Sequence, residues 1–225
     1  MRRALLALAL LLPAGSALAQ EAYFSPFQDC EAQAMAVLDG AQRTVDIAQY
    51  NIRNERFVEK LEELRARGVA IRIVVDAKNA EKDYNTVDDL IEAKGFDIVR
   101  HRNDRAAYAI MHHKFTIVDD AVVMTGSYNW NETAQLVNDE NMLVLRDPAL
   151  AAAYKAEFEE LRGAPEVAQP GQGNGVTVYF SPEDRVRDAI LEQVRLARES
   201  IAVCMFTFKD TVVARAMRDA ARRGV

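Results

Sequence analysis

Tyr23-Phe24-Ser25-Pro26 returns as Tyr179-Phe180-Ser181-Pro182, and the same offset of 156 carries Arg67-Gly68-Val69 onto Arg223-Gly224-Val225 without a gap. Eight of those 47 positions are identical, and the pattern beneath them agrees more closely. Each copy reads as a short strand, a helix starting at Ser-Pro, an apolar run (45–52, then 201–208) and a helix closed by Arg-Gly-Val. An echo of that kind organises the chain as copies of one unit. Between the copies, residues 163–175 hold four of the ten glycines and two of the six prolines, and read as a linker.

The first copy runs further than the second. The β-branched run 71–75 reads as a buried strand closed by Asp76. Residues 78–85 form a polar loop, and 86–94 a helix stopped by Gly95. Strands are expected over 96–100, 109–118 and 122–125. A short helix follows Asn129, then a strand over 141–146 and a helix over 148–162. Strands alternating with helices predict an α/β fold, a mixed sheet sandwiched by helices. The unit occupies 20–162, and 176–225 reads as the start of a second, incomplete copy, because the chain stops as that copy enters its third strand.

Residues 1–19 stand apart. A basic Met1-Arg2-Arg3, an apolar run over 4–12 and an Ala17-Leu18-Ala19 ending read as a secretory signal peptide cut before Gln20. The mature protein is expected to be exported, periplasmic or secreted, and soluble, since no later stretch has about 18 uninterrupted apolar residues. In that oxidising compartment Cys30 and Cys204 either pair or remain two buried thiols. Half the residues are apolar and 28% are charged, enough for a sizeable core. Without residues 1–19, which hold two arginines and no acid, the formal charge of −6 becomes −8. That balance argues against broad affinity for a phosphate backbone and leaves room for a narrow basic groove.

The chemistry is concentrated between His112 and Glu140. On a strand of period two, His112, Lys114 and Thr116 face one way and His113, Phe115 and Ile117 the other. One face packs; the other sets an imidazole beside an ammonium, a pair suited to an anionic substrate. Gly126 lets the chain bend, so that Ser127 and Asn129 both offer donors to a phosphate oxygen. Adjacent His112 and His113 point to opposite faces, which argues against a metal pair. His101 reads as a solvated loop position, Trp130 as packing more than cleft lining, and Arg53 and Asn54 as candidate substrate contacts.

His112, Lys114, Asp119, Gly126, Ser127 and Asn129 match the H-x-K, D, G-S-x-N signature of the phospholipase D superfamily at its spacing, and Glu140 matches the family's downstream acid. Residues 22–162 resemble one family half-domain. The resemblance implies a metal-independent, cofactor-free reaction in two steps. One motif histidine attacks phosphorus, and a histidine from another motif copy protonates the leaving oxygen. It places His112, Lys114, Asp119 and Glu140 in the catalytic set and Lys114, Ser127 and Asn129 on the substrate phosphate. The residues themselves agree. Histidine can act as nucleophile or acid near neutral pH, Lys114 supplies positive charge, and Glu140 is expected to hold a ring nitrogen of His112. Asp119 also reads as an anchor for the strand end.

Three functions follow. The first is hydrolysis of a phospholipid or similar phosphodiester. The second is endonucleolytic cleavage of DNA or RNA, and the third is a catalytically silent phosphate-binding module. The expected partner is a second motif copy, in cis if the chain is a fragment and through a homodimer if it is complete.

Overall fold

The computed structural model describes residues 20–165 and 170–225, so the leader expected over 1–19 lies outside the described residues. Nine strands and eight helices follow in order: β1 Gln20–Ser25, α1 Cys30–Asp39, β2 Thr44–Gln49, α2 Glu55–Ala66, β3 Ala70–Asp76, α3 Ala77–Ala80, α4 Val87–Ala93, β4 Asp97–His101, β5 Lys114–Val118, β6 Val122–Gly126, α5 Glu132–Leu136, β7 Glu140–Arg146, α6 Pro148–Leu161, β8 Gly171–Gly173, β9 Val176–Val178, α7 Val186–Leu196 and α8 Thr211–Arg222. Seven strands form one sheet in the order β1-β7-β6-β5-β2-β3-β4. β2, β3 and β4 run parallel, and every other neighbouring pair is antiparallel. The mixed α/β sheet expected from the sequence is the fold.

Both faces of the central strands are buried, which is why β2 and β3 read as apolar runs rather than alternating ones. Val45, Ile47, Ile73 and Val75 belong to the core shared with α1, α2 and α4. Ala48, Val74, Phe115 and Ile117 pack on the other side against Leu150, Tyr154 and Phe158 of α6. That second face also buries Asp46, whose carboxylate takes two bonds from Arg72 at 2.7 and 3.0 Å and one from Lys155 of α6. A charge so placed is tolerable because it is fully paired.

Local signals set most helix starts. Asp29 accepts from the Ala32 amide, Asn54 from Arg56, and Asp147 from Ala149 with Pro148 at the first helical position. The first helix therefore begins at Cys30 behind its Asp29 cap, not at Ser25-Pro26. The first residues of the loop expected over 78–85 belong to the short α3, whose start is capped by Asp76. The strand expected over 109–118 begins only at Lys114.

The end of the glycine-rich stretch opens a hairpin. β8 pairs with β9 through an Asn174-Gly175 turn, both residues having positive φ. β8 lies so close to α6 that a Cβ on Gly171 would meet the Ala153 Cβ at 2.2 Å. Phe180 then packs on Tyr154, ring centroids 5.0 Å apart, and joins the α6-side core. Beyond it α7 and α8 pack on each other. The run 201–208 forms no strand, and its Cys204 is exposed; Cys30 is buried, and both thiols are free.

Candidate active site

β2 and β3 end at the edge of the sheet where antiparallel β5 and β7 begin and β6 stops. Tyr50, Asp76, Lys114, Gly126 and Glu140 are thereby brought to one edge, beyond the carboxyl ends of the parallel strands, where open α/β sheets place their sites. Residues nearly a hundred positions apart meet there because the strands between them pair in register.

His112 precedes β5, and its ring meets Tyr50 edge-on, with centroids 4.7 Å apart. The residue keeps an exposed side, yet the protein behind the ring removes water from it. That desolvation, followed by Lys114 and His113, lowers its pKa to about 4, with Asp76 opposing. At neutral pH the imidazole is uncharged and carries a free lone pair. Lys114 is 7% exposed, donates from Nζ to the His112 carbonyl at 2.8 Å, and lies 4.9 Å from the Tyr50 ring centroid. Burial lowers its pKa to about 7 against the charge of Glu140.

Gly126, at φ +142, turns the chain out of β6. A Cβ there would lie 2.3 Å from the Asn141 carbonyl, so glycine is required. The Ser127 hydroxyl accepts from the Asn141 amide at 2.9 Å, which leaves its own proton for an outside acceptor. Asn129 has a buried Oδ1 with no partner. A neutral imidazole beside an ammonium, a hydroxyl and a side-chain amide is equipped to attack a tetrahedral anion and hold its oxygens.

Other expected site residues lie elsewhere or in other contacts. Asp119 belongs to the opposite end of β5, about 16 Å from Lys114 at ordinary strand rise. Its carboxylate accepts from the backbone amides of Gln42, Arg43 and Thr44 at 2.7–2.9 Å and so anchors the end of the strand. Glu140 takes a bond from Asn138 at 3.0 Å and makes none with His112; its charge opposes the lowering of the Lys114 pKa. Asn54 caps α2, and Arg53 lies over Tyr84. Trp130 packs, stacked on Phe57 at 4.1 Å. His113 faces away from the site and pairs with Glu157 at 2.9 Å. His101 is not a loop residue: it ends β4 and its Nδ1 lies 2.9 Å from the Leu161 carbonyl.

Tyr50 and Gln49 are site residues that the motif does not announce. Gln49 sits directly opposite Lys114 in the β2–β5 register, 3% exposed, with an unpartnered Oε1. A second polar residue, after Asp46, in a strand buried on both faces was the available signal. Among the described residues no group of three or more His, Cys, Asp or Glu is arranged to hold a metal, and no helix is long and apolar enough to cross a membrane.

Residues 35–162, more than half of the chain, match the family described as cardiolipin synthase, PLD-like domain. The chain belongs to that family. This PLD-like chain is 36% identical over 124 residues to a mitochondrial cardiolipin hydrolase of Chlamydomonas reinhardtii, covering 55% of the chain and 53% of the relative. It is 29% identical over 134 residues to a phospholipase D of Rickettsia bellii, covering 58% and 63%. The matched PLD-like part thus spans about half to two thirds of these relatives' length. Among solved structures, Nuc from Salmonella typhimurium, a phospholipase D family member, aligns with TM-score 0.59 at 21% identity over 72% of this chain and 99% of its own. A polyphosphate kinase from Porphyromonas gingivalis aligns with TM-score 0.67 at 16% identity, over 92% of this chain and 36% of its own. Both likenesses are of fold.

Proposed function

We propose that the protein is a phosphodiester hydrolase of phospholipase D type acting on a phospholipid, with His112 as nucleophile. The observation that carries this reading is the neutral His112 imidazole set beside the buried Lys114 at the edge where Ser127 and Asn129 turn. The His112 nitrogen forms a bond to phosphorus while the bond to the leaving oxygen breaks. Lys114, Ser127 and Asn129 take up the charge on the remaining oxygens. A second motif histidine protonates the leaving group, and water then cleaves the phosphorus–nitrogen bond. The named activities of the hydrolase and phospholipase D relatives favour a lipid diester.

The second histidine comes from another motif copy, in cis or in a homodimer. Residues 176–225 are read as the opening of such a copy: α7 and α8 fall 156 positions after α1 and α2. Export through the leader at 1–19 completes the reading.

Release of headgroup from phospholipid vesicles, run beside nicking of supercoiled DNA, tests the substrate. Headgroup release with a phosphorus label trapped on His112 supports the proposal. Nicking without headgroup release would transfer it to nucleic acid, and neither activity, with phosphate still bound, would leave a binding module.

A further inference from the structure

Asp76 ends β3, is 1% exposed, and spends both carboxylate oxygens on backbone amides. Oδ1 accepts from Asn79 at 2.7 Å, capping α3, and Oδ2 accepts from Met111 at 2.8 Å, one residue before His112. Segment 109–113 forms no strand; this bond ties it to the sheet at Met111, and the Tyr50 amide holds it at the His113 carbonyl at 2.8 Å. From α3 the connection continues. Asn51 donates to the Asn79 side chain at 2.8 Å, and Asn131 donates to Asn51 at 2.8 Å. Asn131 also caps α5 through the Ala134 amide, directly after the Ser127–Asn129 turn. Lys78 on α3 holds the same approaching segment by the carbonyls of Ala107 and Ala109.

We propose that Asp76 is a positioning residue: it clamps the His112 segment and, through Asn79, Asn51 and Asn131, holds the nucleophile in register with the turn that grips the phosphate. This deepens the phosphodiesterase reading and rests on it for its kinetic consequence. The two segments flank one end of the paired strands β5 and β6, whose register stops at Phe115 and Thr125, and the clamp extends the connection beyond that last strand pair. A displacement of about 1 Å at a reacting group is enough to cost about 10²-fold in rate.

Asp76→Ser keeps a helix cap for α3 and loses the second acceptor, which makes it the variant of choice; Asp76→Asn is its isosteric companion. In the folded variants, amide exchange at Met111 should quicken at least about tenfold with loss of its acceptor. Nuclear Overhauser contacts between the Tyr50 and His112 rings should weaken. Turnover of a chromogenic aryl phosphodiester should lose about 10²-fold in kcat, with KM little changed. Asn51→Ala cuts the path toward Asn131 while sparing the Met111 bond, so kcat should fall with the Tyr50–His112 contact retained; that variant carries the test if neither Asp76 substitution folds. Unchanged Met111 exchange and ring contacts in Asp76→Ser, or an unchanged kcat in Asn51→Ala, would overturn the proposal. A wild-type protein without diesterase activity would sink the functional reading alone, because exchange and ring contacts are read without turnover.

Discussion

The two ends of β5 belong to one motif and differ in how far their charges are satisfied. At the Lys114 end, an ammonium is buried with a carbonyl and an aromatic face for company, beside a neutral imidazole. At the Asp119 end, a carboxylate is saturated by three backbone amides in a positive-φ turn. A group whose hydrogen-bonding capacity is spent inside the protein has little left for a substrate, whereas an under-satisfied one does. Motif membership therefore says that a residue matters, and satisfaction says for what.

The sharpest way to break the comparison is at its reactive end. His112→Ala should lower turnover by roughly 10⁴-fold or more, as loss of a nucleophile does, with circular dichroism unchanged. His113→Gln, on the opposite face, should cost far less. Equal losses in two folded variants would remove the distinction between the faces of β5.

Lys114→Met should cost about 10²–10³-fold in kcat by removing charge stabilisation. The pH profile sharpens the point. The wild-type rate should rise as His112 loses its proton through about pH 4, then fall as Lys114 loses its own through about pH 7. A flat profile across the neutral range would mean that the Lys114 charge is not used.

At the other end, Asp119→Ala should cost about 1–3 kcal/mol of stability from three orphaned amides, seen as a lowered Tm. Its kcat per folded molecule should stay near wild type. Burial raises the Asp119 pKa and the amide bonds of Thr44, Gln42 and Arg43 lower it, the net being downward. This contribution to stability is thus present above the unfolded carboxylate pKa and lost as pH falls through the folded one. A large kcat loss without a Tm change would restore Asp119 to the chemistry. Smallest of all, EDTA should leave the rate unchanged, because Lys114 supplies the positive charge; a chelator-sensitive rate restored by a divalent ion would refute that.

Much of the architecture was legible because periodicity is local. The β-branched run at 71–75 became β3, and Pro148 behind Asp147 announced α6. The failures have physical reasons. Segment 109–113 leads without a break signal into β5 and was expected to be part of that strand, but the Met111 amide is spent on Asp76 and not on a neighbouring strand. The run 201–208 has the composition of a strand and no strand beside it; pairing, not composition, makes a strand. Within the candidate site, His112, Lys114, Ser127 and Asn129 were singled out by the motif spacing they share with the family. The Asn138–Glu140 bond and the path from Asp76 to Asn131 were not, since which polar side chains meet is decided by register between distant segments.

The seating of Phe180 against Tyr154 and His113 bears on how the molecule can be divided. A cut after Arg162 would strip the hairpin and this ring from α6 and bare a greasy patch behind the motif strand. Such a fragment should clump on storage and bind hydrophobic dyes, whereas one ending past Asp184 should stay dispersed, its own C-terminal turn serving as the lid of its core.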